Sequence, residues 1–242
     1  MVRRGGSAMM YIILVAGKGT RLQPLTIHYP KTLYKLDDND TVIQRMVKLI
    51  RKHDQEAEIV VVTGFLHQRI EEGIEGVTFV YNPFYAVTNS IASLWFAREY
   101  LDRDHVTIIN GDVIMSDQLV KEVLCRKTQG ALVLYDSSVK KNGDYNVSTI
   151  DDRVVVMSKQ LEVYDGEYAG VVKMDRRAAA AFKTAMDEAI EYGLYDQWYE
   201  DVLVQMIFSD NFVLDCIDVR DYEWIEVDSV RDLVVAKKIS KN

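Results

Sequence analysis

A chain of 242 residues with a formal net charge of −8 argues against a nucleic-acid scaffold, because binding a phosphate backbone needs a broad basic surface. Two cysteines, Cys125 and Cys216, are too few for a disulfide framework and point to a reducing cytoplasm, and no apolar stretch approaches the roughly 20 residues that span a bilayer. Hydrophobic residues at 48% and charged residues at 27% fit a globular protein whose core fills a single domain over residues 10–242. Residues 1–9, with Arg3-Arg4-Gly5-Gly6 and no signal-like apolar region, read as a disordered extension.

The first predicted element is a buried strand at residues 11–16, short, rich in β-branched residues and ending at a glycine. Gly17-Lys18-Gly19-Thr20-Arg21-Leu22 follows, then Pro30-Lys31. Two glycines let backbone N–H groups approach a ligand closely, and successive N–H groups form an anion-binding concavity. Arg21 and Lys31 make that anion a polyphosphate, since guanidinium grips phosphate through paired hydrogen bonds and ammonium acts as a point charge. Lys18 is either part of this set or simply solvated. Gly19 is followed by Thr20-Arg21 rather than Lys-Ser/Thr, which rules out a Walker A loop. Leu22 stands where a dinucleotide fingerprint would need its third glycine.

Residues 41–53 place Val42, Ile43, Met46, Val47 and Ile50 on one helical face. Strands are predicted at 58–63, ending at Gly64, and at 78–81; a helix at 90–101; and a buried strand at 105–109 that runs into Asn110-Gly111-Asp112. This alternation implies an α/β fold with a doubly wound, mostly parallel sheet and helices on both faces. Asp112 then lies at the carboxyl edge of the sheet, where such folds bind ligands. Strand alternation puts Glu226 and Asp228 on one face, and carboxylates converging beside a polyphosphate loop call for a hard cation such as Mg²⁺. His28, His53, His67 and His105 show no metal-like spacing, and no Gly-x-Ser-x-Gly occurs.

The run Leu14-Val15-Ala16-Gly17-Lys18-Gly19-Thr20-Arg21-Leu22, followed by Pro30-Lys31, resembles the nucleoside-diphospho-sugar pyrophosphorylase-like nucleotidyltransferases. Within them the chain looks most like the bacterial choline-phosphate cytidylyltransferases, from about residue 10 to the C-terminal helix. The resemblance implies a Rossmann-like mixed sheet with a small acceptor-side insertion, and CMP transfer from CTP to a phosphorylated or phosphonate acceptor such as phosphocholine, with release of pyrophosphate. The product would be a CDP-linked head group for a surface glycan or lipid. It implies Mg²⁺ on Asp112 and Asp228, joined by Glu226, and catalysis by Arg21 and Lys31. Leu14, Ala16, Gly17, Gly19, Thr20 and Arg21 would hold the nucleotide together with Gly64, Asn89, Ser93 and Asp112. Asn89 could equally be a helix cap. On the acceptor side Tyr145 would meet a cationic head group through its ring, with Glu167, Gly170, Trp198 and Tyr199 nearby, although aromatics on a helix are more often core. Tyr145 in place of the Trp expected for choline leaves a smaller amine, a phosphorylated amino acid or a polyol phosphate open. A hexose-1-phosphate nucleotidyltransferase and a catalytically idle nucleotide-binding module are the alternative readings.

Overall fold

The computed structural model describes residues 8–139 and 145–241. Strand β1 (Met10–Leu14) leads into α1 (Val42–His53), β2 (Glu58–Thr63), α2 (His67–Glu72), β3 (Thr78–Tyr81), α3 (Ser90–Phe96) and β4 (His105–Asn110). Next come β5 (Val113–Met115), the short α4 (Asp117–Leu119), which continues as a π-helical turn over Val120–Leu124, and β6 (Ala131–Asp136). The remainder is β7 (Asn146–Ile150), β8 (Arg153–Ser158), β9 (Gly166–Asp175), α5 (Arg176–Glu191), α6 (Tyr199–Asp210), β10 (Leu214–Asp218), β11 (Trp224–Glu226) and α7 (Val230–Ile239).

The reason β1 reads as an unbroken apolar run is that both of its faces are covered. Met10 and Ile12 join one core with α3, α5 and α6, while Tyr11 and Ile13 join a second core with α1. Alternating side chains thus feed two layers from one strand. Helix α1 begins at a reciprocal cap, in which Gln44 N–H donates to Thr41 Oγ1 and Thr41 N–H to Gln44 Oε1, and its apolar stripe buries Ile43, Met46, Val47 and Ile50. The helix predicted over 90–101 stops at Phe96 and tightens into a 3-10 turn at Arg98–Leu101, which keeps Ala97 and Leu101 in the core.

The nine-stranded sheet has the order β3-β2-β1-β4-β9-β6-β10-β8-β7. Its first four strands are parallel, as the alternation of elements requires, and β6 pairs in parallel with β10. The other pairings are antiparallel because β9 returns between β4 and β6 and because β7 and β8 form a hairpin. Asp151 and Asp152 make that hairpin's two-residue turn at φ 49° and 58°, the left-handed pair such a turn needs. At the N-terminus the structure begins earlier than residue 10: Met9 is buried and its carbonyl accepts from Glu58 N–H at 3.0 Å. Residues 1–7 of the predicted extension lie outside the described residues. No helix among the described residues is long and apolar enough to cross a membrane.

Candidate functional site

A cavity of about 470 Å³ opens at the carboxyl ends of β1 and β4. Its near wall is the glycine loop. Gly17 faces open space, while Gly19 takes a left-handed φ of 60° with its carbonyl accepting from Thr26 Oγ1 at 2.7 Å. At the end of β4 the chain turns beside β1, and Gly111 N–H donates to Leu14 O at 2.9 Å. A Cβ on Gly111 would lie 2.3 Å from Val15 Cγ1, so only glycine fits between the two strand ends.

That turn delivers Asp112 to the floor, and the small β5–β11 ladder delivers its partners. Val113 pairs with Glu226, and Val227 N–H donates to Asp112 O at 3.0 Å. Residues more than a hundred positions apart are thereby clamped together, with carboxylate oxygens of Asp112, Glu226 and Asp228 all within 4.8 Å of one another. Asp112 Oδ1 is buried and has no hydrogen-bond partner. An oxygen-only donor set with one orphaned, buried carboxylate oxygen fits a hard divalent cation.

Both predicted cations reach this cluster. Lys31 Nζ donates to Asp112 Oδ2 and, at 3.3 Å each, to Asp228 Oδ1 and Val227 O. Arg21 Nη1 pairs with Asp228 Oδ2 at 2.8 Å and remains half exposed. Burial alone would lower the pKa of Lys31, but the carboxylates of Asp112 and Asp228 outweigh it and hold the pKa above the ordinary lysine value.

Of the residues the sequence singled out, Leu14, Ala16, Gly17, Gly19, Thr20, Arg21, Lys31, Asn89, Ser93, Asp112, Trp198, Glu226 and Asp228 line this one cavity, and so does Lys18. Asn89 is also the cap of α3, accepting from Ser90 N–H at 2.8 Å. The remaining predicted positions stand behind the wall. Gly64 packs against Ala16 and Tyr85, since a Cβ there would sit 2.7 Å from Ala16 O and 2.6 Å from Tyr85 Cβ. Gly170 lies under Val113, and Glu167 is on β9 opposite Asn146 and Asp136.

The two predicted acceptor-side tyrosines are buried. Tyr145 is 5% exposed, and its hydroxyl donates to Asp201 Oδ1, so its ring is not a cavity surface. Trp198 is the aromatic that reaches the cavity, with its ring 6.3 Å from that of Tyr145. Tyr199 is fully buried and shares a hydrogen bond with Tyr168 at 2.8 Å. Its hydroxyl donates to Asn110 Oδ1 at 3.2 Å, while Asn110 Nδ2 donates to the buried Glu200 at 3.4 Å. Tyr199 and Glu200 therefore orient Asn110, which does line the cavity.

Sequence reasoning missed several lining residues. Asn110 was visible in its triplet but overshadowed by Asp112, and Tyr85 and Thr88 sat within the asparagine-rich stretch. Buried Asn82 organises that wall, donating to Thr88 Oγ1 and Ser93 Oγ at 3.2 and 3.0 Å and accepting from Phe84 N–H at 2.8 Å. Lys159, in the turn after β8, carries no local signal at all.

The chain is similar to known proteins. The nucleotidyl transferase family matches residues 10–160. The chain is 28% identical to a choline-phosphate cytidylyltransferase of Streptococcus pneumoniae, over 97% of this chain and 99% of that one. It is 23% identical to a CTP:phosphoglutamine cytidylyltransferase of Campylobacter jejuni, over 94% and 98% respectively. Its fold is similar to the solved structure of a CTP:phosphocholine cytidylyltransferase from Streptococcus pneumoniae, with a TM-score of 0.77 and 21% identity over 96% of this chain and 99% of that one. A strand-loop cradle with Arg21 and Lys31 set against clamped carboxylates, in a chain matched by that family over more than half its length, establishes that the protein belongs to the nucleotidyl transferase family and is a nucleotidyltransferase.

Proposed function

We propose that the protein is a Mg²⁺-dependent cytidylyltransferase that transfers CMP from CTP to a small phosphorylated acceptor, giving a CDP-linked head group for a surface glycan or lipid. The observation that carries the reading is the meeting of Arg21, Lys31 and the Asp112–Glu226–Asp228 cluster at the mouth of the glycine loop. Full-length similarity to cytidylyltransferases supports CTP as the donor.

In the reaction an ionised oxygen of the acceptor's phosphate forms a bond to the α-phosphorus of CTP, and the bond from that phosphorus to the bridging oxygen breaks, releasing pyrophosphate. The nucleophile is already an anion, so the site needs no strong general base. It needs two anions held in line and the growing charge neutralised. The loop N–H groups around Gly17, Gly19 and Thr20 bind the triphosphate. Asn89 and Ser93 face the pyrimidine; an amide and a hydroxyl match the mixed donor and acceptor edge of cytosine. Arg21 and Lys31 turn from their carboxylate partners to phosphate oxygens as substrates enter. Asp112, Glu226 and Asp228 would hold Mg²⁺, which when bound offsets charge on the triphosphate.

Pyrophosphate release, measured with each of the four ribonucleoside triphosphates and dTTP across a panel of phosphorylated acceptors, tests the reading. CTP should give the highest kcat/KM with at least one non-sugar phosphomonoester. A preference for UTP or dTTP with a sugar 1-phosphate would replace the reading with sugar nucleotide synthesis.

A further inference from the structure

Asn110, Trp198 and Lys159 also line the cavity. Lys159 Nζ lies 3.6 Å from the centre of the Trp198 ring. The aromatic face that a cationic head group would use is therefore already covered by a cation of the protein itself.

The carboxylates that could reward a second positive charge are also engaged elsewhere. Asp201 spends Oδ1 on the Tyr145 hydroxyl and Oδ2 on the Trp198 backbone N–H at 3.1 Å. Glu200 is buried beneath Asn110. Among the described residues, the carboxylates that line the cavity are Asp112, Glu226 and Asp228, all at the cluster beside Arg21 and Lys31. An acceptor with an ammonium opposite its phosphate would meet Lys159, with no carboxylate among the described lining residues beside it to offset the repulsion. An acceptor with an anion there would gain an ion pair while the ammonium keeps its place on the indole.

We infer that Lys159 is a specificity-determining residue, and that the acceptor is a phosphomonoester whose opposite end carries a carboxylate or another anionic oxygen rather than an ammonium. The inference rests on the cytidylyltransferase reading for what the site does with its acceptor, but the charge preference can be measured without turnover.

Three phosphomonoesters of similar size serve as probes: 3-phosphoglycerate, glycerol 3-phosphate and phosphocholine, which place a carboxylate, hydroxyls and a trimethylammonium opposite the phosphate. With CTP and the full chain, kcat/KM should be highest for 3-phosphoglycerate and at least about tenfold lower for phosphocholine. Lys159→Gln should raise the KM for 3-phosphoglycerate about tenfold, leave that for CTP unchanged, and bring phosphocholine to parity. A wild-type preference for phosphocholine, or a selectivity ratio that Lys159→Gln does not move, would overturn the inference. If no acceptor supports pyrophosphate release with any nucleoside triphosphate, the cytidylyltransferase reading falls. Calorimetric binding of the same probes then decides the charge preference separately: tighter binding of 3-phosphoglycerate that Lys159→Gln abolishes sustains it, and equal affinities refute it.

Discussion

Replacing Glu200 with Gln should remove a pH-dependent load on the fold. The Glu200 carboxyl is 1% exposed, its Oε1 accepts a long bond from Asn110 Nδ2 at 3.4 Å, and its Oε2 lacks a well-formed hydrogen bond. Burial, only partly offset by its own backbone N–H and by Asn110 and Tyr199, raises its pKa from 4.5 to about 7. Between those values the folded protein holds a proton that the unfolded chain has released. Stability therefore falls as pH rises through this window, and the penalty is complete above about pH 7. The interval corresponds to about 3 kcal/mol at full ionisation. Gln cannot ionise, but its amide must find partners, which adds a cost that does not vary with pH. The informative quantity is thus the difference in unfolding free energy between wild type and Glu200→Gln, measured by urea titration from about pH 4 to about pH 8. That difference should shift toward the variant by about 3 kcal/mol across the range. Parallel pH profiles for the two proteins would show that Glu200 does not titrate as its burial requires.

Arg21→Ala and Lys31→Ala should each lower turnover by about a hundredfold or more, because each cation supplies a few kcal/mol of charge stabilisation. Near-normal kcat in either variant would remove that residue from catalysis. Asp112→Asn and Asp228→Asn should abolish activity at low Mg²⁺ and regain part of it as Mg²⁺ rises, since a lost ligand weakens coordination. Full activity of the wild-type enzyme in EDTA would sink the metal assignment.

What was legible in the sequence follows the range of the interactions that encode it. Strand β1, the glycine loop and α1 are specified by neighbours a few residues apart, through alternation, a cap and an apolar stripe, and they appear where the sequence puts them. The antiparallel half of the sheet was not legible, because the return of β9 between β4 and β6 depends on which distant strand it meets. Even the Asp151-Asp152 turn, a local signal for a hairpin, becomes decisive only once Val154 is seen opposite Thr149. The site divides in the same way. Glycines and cations near the N-terminus share one loop, whereas Asp112 meets Glu226 and Asp228 only through the β5–β11 ladder, a long-range contact that the family resemblance implied and no local pattern encodes.

The acceptor wall resisted such reasoning for a physical cause. Tyr145, Trp198, Tyr199, Glu200 and Asp201 are all aromatic or acidic, and composition alone cannot say which of them faces a ligand. Their mutual hydrogen bonds decide it. Asp201 draws the Tyr145 hydroxyl inward, and Tyr199 and Glu200 close around Asn110, so only the Trp198 ring is left at the surface of the cavity. Once that ring is covered by Lys159, from the turn after β8, the wall presents a positive charge where the aromatic and acidic residues taken singly would have promised a negative one.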